Sequence, residues 1–278
     1  VSVFFTAGTV GGRHGPIPIR TYTSDRSHDA SLSPVVWLHG GAFAYGGLDQ
    51  PESHEPAMSL AATGRTVVTV DYHLVARWNP FFDVTDASLT GVRFPIPLED
   101  VLDVVTAVAE QAPGGHILLG GASAGACLAA AAARDLTQRE VTAIAGLVLA
   151  YGTFHAALPR ASAALRARIR GRHSFTQFRP STVRRMNRNY AGSTAAMGDP
   201  RAFPGGHDLT GLPETLMLDA DRDTLRASGA AFAGELRAAG VPLEYEVVPD
   251  TVHGFLNRPG TGGYAAGAQR MIDWLDGR

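Results

Sequence analysis

The pentapeptide GASAG, Gly121 to Gly125, sets one serine between two glycines, after the apolar run HILLG and before an alanine-rich stretch. In that setting Ser123 is a candidate nucleophile. A strand-turn-helix junction presents the hydroxyl on a sharp turn, and a glycine two residues away on either side lets strand and helix approach closely. Free N–H groups at the helix start would face any negative charge developing there. An N-cap serine would account for the helix start but not for both glycines. A hydroxyl needs a base to take its proton and an acid to orient that base. Among ten histidines, His253 in DTVHGFL lies just past the last strand candidate and before the last helix. Asp219, Asp221 and Asp223 all follow the apolar run TLML, and the residues alone leave open which is the acid. The order serine, aspartate, histidine is the one expected where strands and helices alternate.

The third piece is HGGAF, His39 to Phe43, directly after PVVWL. Acyl transfer builds an oxyanion, and preorganised main-chain donors supply much of its stabilisation. Gly40 and Gly41 are the expected donors, joined by the N–H of Ala124, the residue after the nucleophile. A tight turn would also use paired glycines. His39 is not accompanied by HExxH, paired cysteines or a carboxylate cluster, so a structural role is expected for it and no metal or organic cofactor is implied.

These pieces must be brought together by the elements that carry them. Aliphatic or β-branched runs recur at Ile17, Pro34, Thr66, His116, Gly146, Thr215 and Leu243, and helical patterns start at Leu98, Ala124, Thr224 and Ala265. Such alternation predicts an α/β fold, a mostly parallel central sheet with helices on both faces. The serine, aspartate and histidine would then share the C-terminal edge of that sheet. Two stretches break the rhythm within a single domain over 1–278. Residues 155–206 read as helices without a strand, a length that suits a cap over a site, and residues 77–94 read as an aromatic loop insertion.

Composition narrows the classes further. With 45% hydrophobic and 18% charged residues the chain reads as an ordinary soluble protein. No apolar run approaches a membrane span, and VSVFF at the start is too short and lacks the basic flank of a secretory signal. A net charge of −2 gives no global attraction to nucleic acid. All 24 basic residues are arginine, and eight of them, Arg166, Arg168, Arg170, Arg172, Arg179, Arg184, Arg185 and Arg188, form a basic run in the expected cap, read as a solvated surface. Cys127 is the single cysteine, so no internal disulfide forms and a reducing, cytoplasmic setting is expected.

Taken in order, HGGAF, VDYHL, GASAGA, DTLR and HGF resemble motifs of the hormone-sensitive-lipase-like esterases, bacterial family IV of the α/β-hydrolase superfamily. The resemblance runs from about GPIPIRTY to the end. It implies the α/β-hydrolase fold with a helical cap, and a serine-dependent carboxylesterase acting through an acyl-enzyme on short to medium acyl esters. It also implies Asp223 as the acid, because Thr224-Leu225-Arg226 follow it as in the family's DPLR. This sequence departs at Ala42, where the family has a third glycine, and at His73, Ala122 and Ala126. The family's Pro-Glu after DYRLA is lost, and an insertion begins at Arg77.

Phe43, Trp78, Phe81, Phe82, Phe154 and Phe255, with Phe175 and Phe178, are candidates to line a substrate pocket, which is mostly apolar in such sites. The expected partner is a small-molecule ester, with a second copy of the chain as an option. A tailoring acyltransferase, cyclase or lyase could use the same residues, and a small-molecule receptor on a retired hydrolase is the rival from another class.

Overall fold

Every residue of the strands β3 (Val35–Leu38), β4 (Val67–Val70) and β5 (Ile117–Ala122) is buried, which is the burial of central strands covered on both faces. The structure, a computed structural model, describes residues 1–26, 32–79, 84–85, 89–171 and 177–276. With β1 (Val3–Gly12), β2 (Gly15–Ser24), β6 (Ile144–Ala150), β7 (Thr215–Arg222) and β8 (Leu243–Val252), they form one sheet of order β1-β2-β4-β3-β5-β6-β7-β8. The pairs β1/β2 and β2/β4 are antiparallel; from β4 to β8 all are parallel.

Strand alternation sorts the core into two layers. Val36, Leu38, Leu119 and Leu149 face α2 (Ile96–Gln111), α3 (Ala124–Gln138) and α6 (Arg226–Ala238). Val35, Trp37, Leu118 and Val148 face α1 (Pro51–Ala61) and α7 (Gly262–Leu275). Between β6 and β7 the chain forms α4 (Ala163–Arg168) and α5 (Pro180–Ala191) and no strand among its described residues. Nor is any helix among the described residues long and apolar enough to cross a membrane.

Two elements escaped the sequence reading. Strand β1 is mostly exposed on both faces, so its side chains carry no apolar alternation. Helix α1 has Pro51 in its first turn and Pro56 inside, which masks its helical pattern, yet it positions Glu52 under the site.

Register brings the pieces of the site to one edge. Leu38 pairs with Gly121, Ala122 with Ala150, and Ala150 with Leu218. The loops after β3, β5, β7 and β8 therefore leave the sheet side by side.

Candidate active site

Ser123 sits between β5 and α3 with φ 54° and ψ −114°, a strained conformation for a residue with a side chain. The neighbouring backbone tolerates this junction only with glycines. A Cβ on Gly125 would collide with the main-chain oxygens of Leu38 and His39, and one on Gly121 with the carbonyl group of Gly125. The Ser123 N–H donates to Ala150 O at 2.8 Å, which locks the turn to β6.

The three chemical groups meet. Ser123 Oγ lies 3.0 Å from His253 Nε2, and His253 Nδ1 lies 2.6 Å from Asp223 Oδ2. The carboxylate can only accept from Nδ1–H, so the neutral ring presents Nε2 as the acceptor for the serine hydroxyl. Asp223 is 1% exposed, and its Oδ1 accepts from Leu225 N at 2.9 Å, which holds the carboxylate in place. The rings of Tyr151 and Phe178 flank His253 edge-on, each at 5.1 Å between centroids. Burial disfavours the imidazolium, but the charge and hydrogen bond of Asp223, reinforced by Glu52, outweigh it and leave His253 above the ordinary histidine value.

The other two aspartates are engaged elsewhere. Asp221 pairs with Arg168 of α4, tying that helix to β7, while Asp219 accepts from Tyr245 Oη at 2.8 Å in the core. Arg168 makes this pair from the surface, and Arg166, Arg168, Arg170, Arg179 and Arg184 of the basic run are solvent-exposed; Arg172 lies outside the described residues.

The loop after β3 corrects one expectation. The Gly40 N–H is taken by Glu52 Oε1 at 2.9 Å, so it is not available to an oxyanion. Gly41 and Ala42 follow with φ of 116° and 54°, and both line the cleft beside Ser123. Among the described residues the N–H groups of Gly41, Ala42 and Ala124 have no protein acceptor. His39 is fully buried. Its Nδ1 donates to Gly40 O at 2.6 Å, its ring stacks on Tyr72 at 4.5 Å, and burial pushes it down to about 4, so it stays neutral and shapes the loop.

Glu52 is the residue the sequence reading missed. It is 2% exposed; besides Gly40 N, its Oε1 accepts from Gln50 Nε2 at 2.7 Å, and its Oε2 accepts from Tyr151 Oη at 2.8 Å. Burial raises its carboxyl above the usual range against these hydrogen bonds. Its signal in the sequence is slight, an acidic residue directly after a helix-starting proline.

A cleft of about 400 Å³ opens over Ser123 and His253. Trp78 lines it, as does Phe178, but three expected lining residues do not. Phe43 stacks on Tyr190 at 3.9 Å, Phe154 stacks on Phe232 at 4.2 Å, and Phe255 packs against Tyr151 at 4.9 Å, all three 2% exposed or less. Each ring gains more by full burial in the core than on a half-open wall. Phe81, Phe82 and Phe175 lie outside the described residues. Cys127 is buried with its thiol pushed up by that burial, a packing residue in α3.

A nucleophile elbow, an oriented histidine and free main-chain donors at the C-terminal edge of this sheet define a serine hydrolase of the α/β-hydrolase fold. The family described as alpha/beta hydrolase fold, Abhydrolase_3, matches residues 90–257. Carboxylesterase NlhH of Mycobacterium tuberculosis is 32% identical over 87% of this chain and 72% of its own length. An ethyl acetate hydrolase of Pseudomonas putida is 29% identical over 86% of this chain and 71% of its own. The esterase of Pyrobaculum calidifontis superposes with a TM-score of 0.80 at 27% identity, covering 99% of this chain and 85% of that one. The chain belongs to this family, in its hormone-sensitive-lipase-like branch.

Proposed function

We infer that the chain hydrolyses small carboxylic esters through an acyl-enzyme on Ser123. The contact that carries this reading is Ser123 Oγ to His253 Nε2 at 3.0 Å, continued to Asp223 at 2.6 Å. Ser123 attacks the ester carbonyl as His253 takes its proton; Asp223 holds the tautomer and offsets the imidazolium charge. The oxyanion is met by the N–H groups of Gly41, Ala42 and Ala124. Collapse expels the alcohol, protonated by His253, and a water activated by the same ring releases the acid. A cleft of about 400 Å³ supports short to medium acyl groups. We assign the described residues of 155–206 to the cap, since Thr182 and Met186 of α5 reach the cleft, and the start of the 77–94 insertion to its rim, through Trp78; residues 80–83, 86–88 and 172–176 lie outside the described residues. A receptor would have no use for an activated hydroxyl.

Ser123→Ala is expected to lower hydrolysis of p-nitrophenyl acetate by more than about 10⁴-fold, and to abolish fluorophosphonate labelling, with circular dichroism and Tm unchanged. Retained turnover overturns the assignment. Product analysis with alcohols as competing acceptors distinguishes hydrolysis from transfer. A cytoplasmic setting, supported by the lone buried Cys127, and a homodimer complete the proposal; cell fractionation and sedimentation velocity check them.

A further inference from the structure

The cleft has two walls of opposite character. Ala42, Trp78, Phe178, Met186 and Leu225 make an apolar wall, part of one hydrophobic cluster. Facing the same space are Gln50 and Glu52 from the start of α1, and Asn257 from the turn after His253. These three are bonded to one another. Gln50 Nε2 donates to Glu52 Oε1 at 2.7 Å and to Asn257 Oδ1 at 3.3 Å, and the Glu52 main-chain N–H donates to Asn257 Oδ1 at 3.2 Å.

The direction of the Asn257 amide follows from this network. A main-chain N–H can only donate, so the amide turns its oxygen toward α1 and its NH₂ the other way. That nitrogen lies 3.4 Å from where a Cβ on Gly254 would stand, and Gly254 also lines the cleft. Among the described residues the Glu52 carboxylate is the one protein acceptor for its two hydrogens. It takes at most one of them, since its Oε1 already accepts from Gly40 and Gln50 and its Oε2 from Tyr151. The amide therefore keeps one N–H for whatever enters the cleft.

We propose that Asn257 Nδ2 is a specificity-determining donor, and that the preferred substrates are esters carrying an ether, carbonyl or hydroxyl oxygen a few atoms from the ester group. The proposal rests on the ester-hydrolase reading and names the substrate class of that site. Rejection does half of the selecting. An alkyl arm against this wall strips water from the NH₂ without returning a hydrogen bond, whereas an oxygen at the same position accepts one. The opposite wall takes the apolar arm of the ester by ordinary burial.

Two isosteric pairs test this: 2-methoxyethyl acetate against butyl acetate for the alcohol arm, and p-nitrophenyl methoxyacetate against p-nitrophenyl butyrate for the acyl arm. The oxygen-to-carbon ratio of kcat/KM is measured for the wild type and for Asn257→Leu, so that intrinsic reactivity cancels. The ratio is expected to fall about tenfold in the pair whose oxygen reaches Nδ2. Asn257→Asp keeps the acceptor for Gln50 and Glu52 and removes the donor while adding a charge, which acts on both members of each pair alike, so the ratio should show the same lost preference; it decides the matter if the leucine variant does not fold. If Asn257 serves only as scaffold, all four esters slow together and both ratios stay at wild-type values, which overturns the proposal and leaves the hydrolase reading standing. A wild type inactive on all four esters overturns both.

Discussion

A protonated His253 cannot accept the serine proton, so kcat/KM should fall as pH drops through its pKa. Asp223 and Glu52 hold that value above 6.5, against burial, so the acid limb of the profile is expected above 6.5. In Asp223→Asn the carboxylate charge is gone and burial prevails, so the limb should move to lower pH. The amide also favours the wrong tautomer, and kcat should fall by about 10³–10⁴-fold. Glu52 acts through other groups, fixing the loop by its bond to Gly40 and steadying Tyr151 against His253. Glu52→Ala strands the donors of Gly40, Gln50 and Tyr151 and is expected to lower kcat about 10²-fold with little change in KM. Glu52→Gln can still accept from Gly40, so it should recover most of that kcat while moving the acid limb downward. Equal losses in the two variants would remove the positioning role. At this scale Ser123 and His253 were legible as candidates from motif and order, since each motif is local, and Asp223 only through the family resemblance. Glu52, Tyr151, Asn257 and the tied-up N–H of Gly40 were not, because each owes its role to a partner far away in the chain.

The junction of β5 and α3 is an element-scale device. Ser123 holds φ 54° because the Gly125 backbone lies directly against the end of β3, where any Cβ would strike the oxygens of Leu38 and His39. Gly125→Ala must therefore push α3 away from β3, and over-packing of this kind costs about 1–3 kcal/mol. Urea denaturation should report that loss, and activity should fall further than stability, since the same shift moves Ala124 N–H relative to Gly41 and Ala42. An activity loss no larger than the stability loss would argue against the elbow being under geometric constraint. Helix α3 was readable as a helix from its alanines, and its burial follows from the same composition: small side chains let it lie close to β3, β5 and β6. Helix α1 was unreadable behind its prolines, and β1 behind its exposure on both faces.

On the scale of the whole molecule, one buried acid links global stability to pH. Asp219 is pushed up to about 7 from 3.8 by burial, against the hydrogen bond from Tyr245. Because the folded value is the higher one, its contribution to stability is complete below pH 3.8 and is lost as pH rises through 7. At pH 8 the cost of ionising it is on the order of 4 kcal/mol. Asp219→Asn should therefore be more stable than the wild type at pH 8 and lose that advantage at pH 5, read as Tm at both values; parallel Tm profiles would refute the linkage. The fold class was already determined by the amino-acid order: alternating aliphatic runs and helical patterns can bury their apolar faces only as a covered, mostly parallel sheet. Ser123 and His253 stood out as candidates by local pattern and Asp223 through family resemblance, and the three side chains meet in the structure. Tertiary structure alone decided which N–H groups remain free, which phenylalanines are walls and which are core, and that Asn257 lines the cleft. Those choices depend on hydrogen-bond partners and packing between segments distant in sequence, and no local pattern of residues encodes them.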